Sequence, residues 1–132
     1  VELEAGPAAP GLARSFARHA VRTWSLDELA DDVELITSEL VTNAVRATRI
    51  SGLALVVIEL QVDNGALRIA VKDSSRARPS RQVAGDDAEG GRGLFLVEAL
   101  STRWDCFLVR GGKVVWAELA LVPSVPRAGP AW

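Results

Sequence analysis

The sequence predicts an α+β two-layer sandwich, a mixed sheet with helices on one face. Three observations predict it. Two consecutive helical patterns occupy residues 12–48. Two pairs of alternating segments follow, each pair joined by a glycine turn, Asn64-Gly65 and Gly111-Gly112. A stretch without periodicity and one short helical pattern separate the two pairs. Strands joined by tight turns are antiparallel, and helices grouped outside the pairs gather on one side of the sheet.

The elements follow in order. Residues 1–11 carry Gly6, Pro7, Pro10 and Gly11 and read as a flexible lead-in. From Leu12 to Trp24 the period is helical. Phe16, Ala20 and Trp24, or Ala13, Ala17, Ala20 and Trp24, lie on one side, with Arg14, Arg18 and Arg22 elsewhere. Ser25-Leu26-Asp27-Glu28 has the form of a capping box and opens a second helix, to about Thr48. Its apolar row is Leu29, Val33, Ile36, Leu40, Ala44 and Ala47. Ile50-Ser51-Gly52 ends it. In the strand from Leu53 to Asp63, Ile58, Leu60 and Val62 alternate with polar residues. From Ala66 to Asp73, Leu67, Ile69 and Val71 share one side, and parity places Asp73 there too. Residues 74–91 lack a period, which marks a lid, a binding loop or a disordered segment. A helix is expected from Leu94 to Leu100, then strands from Arg103 to Arg110 and Lys113 to Leu121. The stretch 122–132 is rich in Pro, Gly and Ala and reads as a flexible tail.

The totals bound the possibilities. A chain of 132 residues is one domain, and its core needs no staple. A net charge of -2 gives no general electrostatic case for direct nucleic-acid or membrane binding. The longest apolar run, Leu53 to Ile58, is too short to cross a bilayer. No signal-peptide pattern is visible. The first residue is Val1 and methionine is absent, so the initiator has been removed or the sequence is a fragment. The single cysteine, Cys106, excludes an internal disulfide or a cysteine zinc cluster and fits a cytoplasmic setting. Its place in a strand reads as a core thiol.

Chemistry-bearing residues are few. Glu39, Asn43 and Arg46 are spaced 4 and 3 and form a row beside the apolar face of the second helix. A carboxylate and an amide one turn apart could grip hydrated Mg²⁺ or orient a nucleophile; the row also fits a solvated helix flank. Asp73, aimed inward at a strand end, is costly unless it has a polar contact. Gly90-Gly91-Arg92-Gly93 before a helix could seat an anion, or simply turn the chain. It is neither a Walker motif nor a dinucleotide fingerprint. The only histidine, His19, lacks the acidic neighbour and proline of a phosphoacceptor box.

Taken in order and spacing, these pieces resemble a known family. Glu39-Leu-Val-Thr-Asn43-Ala-Val-Arg46 is similar to the N-box of GHKL ATPases, Asp73-Ser-Ser-Arg-Ala-Arg-Pro79 to the G1 box, and Gly91-Arg92-Gly93-Leu94-Phe-Leu-Val-Glu-Ala-Leu to the G2 box. Trp104 and Lys113-Val-Val-Trp116-Ala-Glu-Leu resemble the small bacterial branch of anti-sigma factor serine kinases and stand-alone ATP-binding regulators. Ala47 stands where that branch often has histidine, and Ser75 where the wider superfamily has glycine.

The resemblance covers roughly Ala13 to Leu121 and implies the Bergerat fold over residues 12–121, with an ATP lid at 74–91. It implies ATP and Mg²⁺ as cofactors. Asn43 is then the Mg²⁺ ligand and Glu39 the general base. Asp73 takes the adenine amino group, and Gly91, Arg92, Gly93 and Leu94 lie at the phosphates. The implied activity is Mg-ATP-dependent serine/threonine kinase chemistry, with a sigma factor and an anti-anti-sigma protein as partners; a homodimer is compatible with it. Two other readings are a non-catalytic ATP-binding interaction module and the catalytic domain of a histidine kinase.

Overall fold

The computed structural model describes residues 1–48, 54–76 and 88–121, with backbone alone at 88–93. Its strands are β1 (Glu2–Glu4), β2 (Leu55–Asp63), β3 (Ala66–Asp73), β4 (Arg103–Val109) and β5 (Gly112–Ala120). Its α-helices are α1 (Ala9–Thr23), α2 (Ala30–Thr48) and α3 (Ala88–Leu100). The described strands form one sheet of order β1-β2-β3-β5-β4. All four pairings are antiparallel, so the sheet is not mixed as expected. The α+β sandwich itself is as expected, with the helices over one face.

Alternation determines which face. Val56 and Ile58, then Leu67, Ile69 and Val71, then Val115, Ala117 and Leu119 are buried under the helices. Their cross-strand register matches, for example Ile58↔Val71 and Val71↔Val115. Asn64 (φ 50°) and Gly65 (φ 75°) both adopt left-handed backbone, the requirement of a two-residue type I′ hairpin. The second hairpin turns through Arg110 and Gly111 rather than Gly111-Gly112, because Val109 pairs with Gly112. Gly112 is itself in β5 and lies against β3: a Cβ there would meet the Asp73 carbonyl oxygen at 1.9 Å.

Helix α2 packs through Val33, Ile36, Thr37, Leu40, Val41, Ala44 and Thr48. The stripe ends on Thr48, whose hydroxyl donates to the Ala44 carbonyl (2.9 Å), rather than on Ala47. Helix α1 buries the alanine-rich stripe Ala9, Ala13, Ala17 and Val21, and Trp24, just past its end, is about one-third exposed. Short side chains allow α1 close to α2, and polar contacts flank the seam. Arg18 pairs with Glu34, and the Arg14 guanidinium donates to the Ser38 hydroxyl at 3.0 Å.

Three local expectations are corrected. Residues 1–11 are not a lead-in: Glu2–Glu4 pairs with β2, and α1 already begins at Ala9. Pro10 stands in the first helical turn, where its missing N–H costs nothing. A three-residue strand is too short to show alternation. Ser25 is no N-cap. It has φ 60°, and no side chain caps the 3₁₀ turn Asp27–Leu29 that precedes α2. Instead the Ser25 N–H donates to the Arg22 carbonyl and the Leu26 N–H to the Val21 carbonyl. That is a Schellman stop for α1, with Leu26 packed on the core. Finally, α3 starts at Ala88, not Leu94. Ala88 and Glu89 favour helix, and Leu94 and Val97 dock inward, so the helix runs back through the glycines. The body of the expected lid (77–87), the break after Thr48 and the tail lie outside the described residues.

Candidate functional site

Helix α2 is anchored by its apolar stripe, which turns the adjacent row outward along one flank. Glu39, Asn43 and Arg46 are all half-buried on that flank. Burial pushes the Glu39 carboxyl above its ordinary value, and the Arg46 guanidinium acts against that shift without cancelling it. A carboxyl moved upward, and still partly open to solvent, holds a proton more readily than an ordinary glutamate does, the direction that favours a general base. The sequence marked Glu39 and Asn43 but gave Arg46 no role; the structure makes it the charge partner of Glu39.

Asn43 lies one turn beyond Glu39. Its amide nitrogen is buried and has no hydrogen-bond partner among the described residues. A buried polar group without a partner is unfavourable in the protein alone and is satisfied by a bound ligand or water. The described residues hold no cluster of three histidine, cysteine or carboxylate groups. The orphaned nitrogen is a donor and fits an acceptor such as a phosphate oxygen; a metal entering with phosphates would meet the Asn43 amide oxygen and take its other ligands from phosphate and water. That division suits Mg²⁺, which keeps much of its hydration and enters with phosphates.

Asp73 ends β3 on the helix side, as its parity predicts, and its side chain is 1% exposed. It already has partners. Lys113, directly opposite on β5, places its ammonium 3.0 Å from each carboxylate oxygen. The Ser75 backbone N–H donates to Oδ1 at 2.8 Å. Lys113 is equally buried, at 4% side-chain exposure. Lys113 starts the inward series Lys113, Val115, Ala117, Leu119. Parity alone could have found it.

The glycine motif lies differently from its expected place. Gly91 and Gly93 are inside α3 rather than ahead of it. Unpaired N–H groups belong to a helix's first turn, so the Gly93 and Leu94 amides fall within the ladder. The Leu94 side chain is 1% exposed. The Arg92 side chain is outside the described residues.

The opposite face of the sheet carries a hollow of about 380 Å³, lined in part by Gln61, Arg68, Arg103 and Glu118. It does not adjoin Glu39 or Asn43. Three of its charged side chains engage one another: Arg68 and Arg103 both donate to Glu118, and both guanidiniums lie over Trp116, at 4.5 and 5.5 Å. Trp104, by contrast, packs against the core.

Comparison with known proteins agrees with this arrangement. Residues 3–119 match the sequence profile of the histidine kinase-like ATPase domain. No curated protein matches the chain. Among solved structures, the chain is similar to the blue-light activated histidine kinase EL346 of Erythrobacter litoralis. The likeness has 26% identity, a TM-score of 0.56, and covers 72% of this chain and 31% of that one. It is also similar to the histidine kinase domain of the same protein, at 22% identity and TM-score 0.57, covering 86% of this chain and 60% of that one. The chain thus spans about a third of the full kinase. On the match across its sheet, its helices and the α2 flank, the chain belongs to the histidine kinase-like ATPase domain family, within the GHKL superfamily.

Proposed function

We propose that this protein is an ATP-binding regulator of the anti-sigma type, which uses Mg-ATP to phosphorylate a serine or threonine of an anti-anti-sigma partner. Membership of the family implies an ATP site, usually served by Mg²⁺. The observation that carries the finer reading is the pairing of Glu39 with Asn43 on one flank of α2. The first is a carboxyl whose pKa burial has raised, and the second is an amide with an orphaned nitrogen. Phosphoryl transfer needs little from a protein beyond positioning, a metal and one base. ATP supplies the phosphoryl group, and Mg²⁺ neutralises phosphate charge. Glu39 receives the proton of the acceptor hydroxyl, and Asn43 orients the metal-bearing end of the nucleotide. A sigma factor is the proposed second partner.

The test is phosphoryl transfer from Mg-ATP to a purified anti-anti-sigma-type domain by wild type and by Glu39→Ala. Transfer that disappears in the variant, with nucleotide binding retained, supports the assignment. Equal transfer by both removes Glu39 from the role.

One observation favours a second reading. Both structural likenesses are to a histidine kinase, and the chain spans only part of each. The linkage formed separates the two readings. Phosphoserine survives acid and is lost in alkali, whereas phosphohistidine is lost in acid.

A further inference from the structure

An antiparallel sheet with helices on one face ordinarily alternates along each strand, apolar inward and polar outward. Here the alternation fails at one end of the sheet. Val57, Lys72, Val114 and Phe107 lie directly across from one another on the face away from the helices. Ala70 and Trp116 follow in the next row. Leu55 and Phe107 stand half-exposed there, at 50% and 48%. Among the described residues, the helices all pack on the other face. A hollow of about 190 Å³ opens on this outer face, walled in part by Ala70, Phe107, Val114 and Trp116. A contiguous apolar patch rimmed by polar residues marks a contact surface rather than a solvated one.

The charges of this face divide by strand. β1 and β2 direct Glu2, Glu4, Glu59 and Asp63 outward. The outward cations of the described strands, Arg68, Lys72 and Arg103, lie on β3 and β4. Glu118 and Trp116 already hold Arg68 and Arg103 in place, which leaves a partner little ordering to impose. The Asp105 carboxylate, also on β4, accepts from the Cys106 N–H. A strongly acidic or strongly basic partner would match only one half of such a face. A second copy matches both at once: a two-fold axis along the strands lays the acidic β1–β2 side of each copy over the basic side of the other. The same operation sets apolar row on apolar row.

The area agrees. Five strands about 4.8 Å apart, with up to nine residues at about 3.4 Å each, give a face of roughly 24 by 30 Å, on the order of 700 Å². A stable interface uses about 800 Å² on each partner. We propose that the outer face of the sheet seats a second copy of this chain, sheet against sheet in an isologous two-fold pair. The α2 flank lies on the far side of each copy, so Glu39 and Asn43 stay open in the pair. The inference does not depend on the ATP-site reading.

Sedimentation equilibrium over a range of protein concentrations tests it on wild type, Phe107→Lys and Leu55→Lys. Leu12→Lys serves as control, because that leucine is 55% exposed on α1, in the helix layer. Wild type is expected at twice the mass of one chain. Phe107→Lys and Leu55→Lys should each weaken association by about tenfold or more, and Leu12→Lys should leave it unchanged. Thermal unfolding shows whether each variant folds; should Phe107→Lys not fold, Leu55→Lys decides. A wild type that stays monomeric overturns the inference. So does a wild-type dimer that Phe107→Lys and Leu55→Lys leave intact, or that Leu12→Lys alone dissociates, since either result places the interface away from the outer face.

Discussion

Arg46 stands seven residues beyond Glu39, about two turns along the same flank of α2, and its positive charge opposes the upward shift that burial imposes on the Glu39 carboxyl. Burial is the larger effect, so the folded protein holds the Glu39 proton more tightly than the unfolded chain does. Stability from this group is therefore fully present below the unfolded pKa and lost as pH rises through the folded one. Glu39→Gln should raise Tm by a few degrees at neutral pH, with the gain vanishing in acid. Arg46→Ala should move the Glu39 titration further upward, read by NMR of the carboxyl carbon.

Asn43→Ala should cost little stability, since the amide nitrogen has no described partner to lose. The same change should weaken Mg-ATP binding by roughly tenfold or more while leaving metal-free binding nearly unchanged. Titration with and without Mg²⁺ gives the comparison. An equal loss in both would move Asn43 from the metal to the nucleotide itself.

Breaking the buried ion pair from one side should be expensive. Lys113→Ala leaves a carboxylate with 1% exposure facing the core, and a loss of about 3–5 kcal/mol is expected in urea unfolding. Removing both charges together, Asp73→Asn with Lys113→Met, should recover most of that loss. A double variant as unstable as the single one would show that packing, not charge, dominates there.

Gly112→Ala tests the close approach of β5 to β3. The added Cβ would lie 1.9 Å from the Asp73 carbonyl oxygen, with backbone and not a flexible side chain in the way. Destabilisation of about 3 kcal/mol or more is expected, together with loss of amide protection at the Asp73 end of the sheet.

Ser25 separates two local structures by sign. As a Schellman residue with φ 60°, it should tolerate Ser25→Ala and gain about 1 kcal/mol from Ser25→Gly. As a capping residue it would instead lose about 1 kcal/mol in the alanine variant. Thermal unfolding of both variants decides it.

Where a residue's fate follows from strict periodicity, the sequence was readable. The inward Asp73 and the row Glu39, Asn43, Arg46 follow from periods of two and 3.6 residues, and the type I′ turn follows from two residues that tolerate left-handed backbone, Asn64 and Gly65. What escaped depends on partners that the residue's own period does not reveal. Strand β1 exists because β2 offers it an edge, which three residues cannot announce. Ser25 matches a capping box in composition, yet the end of α1 claims its backbone first. Helix α3 runs back through its glycines because Leu94 and Val97 are held in the core, a tertiary effect that outweighs propensity. Lys113 was readable by parity, but a lysine at the start of a strand is ordinarily solvent-facing.

Asp73 and Lys113 are 40 residues apart in sequence and touch in space. The excursion from Ser74 to Gly112, which carries α3 and β4, therefore departs and returns beside this pair. Loop-closure entropy grows only with the logarithm of length, about 0.6 kcal/mol per doubling. Evolution can accordingly lengthen, shorten or exchange the outer part of that excursion as a cassette while the pair and the α2 flank stay in register. Regulatory diversity in such a scaffold would be written into the excursion, and its chemistry into the residues of the pair and on the helix above.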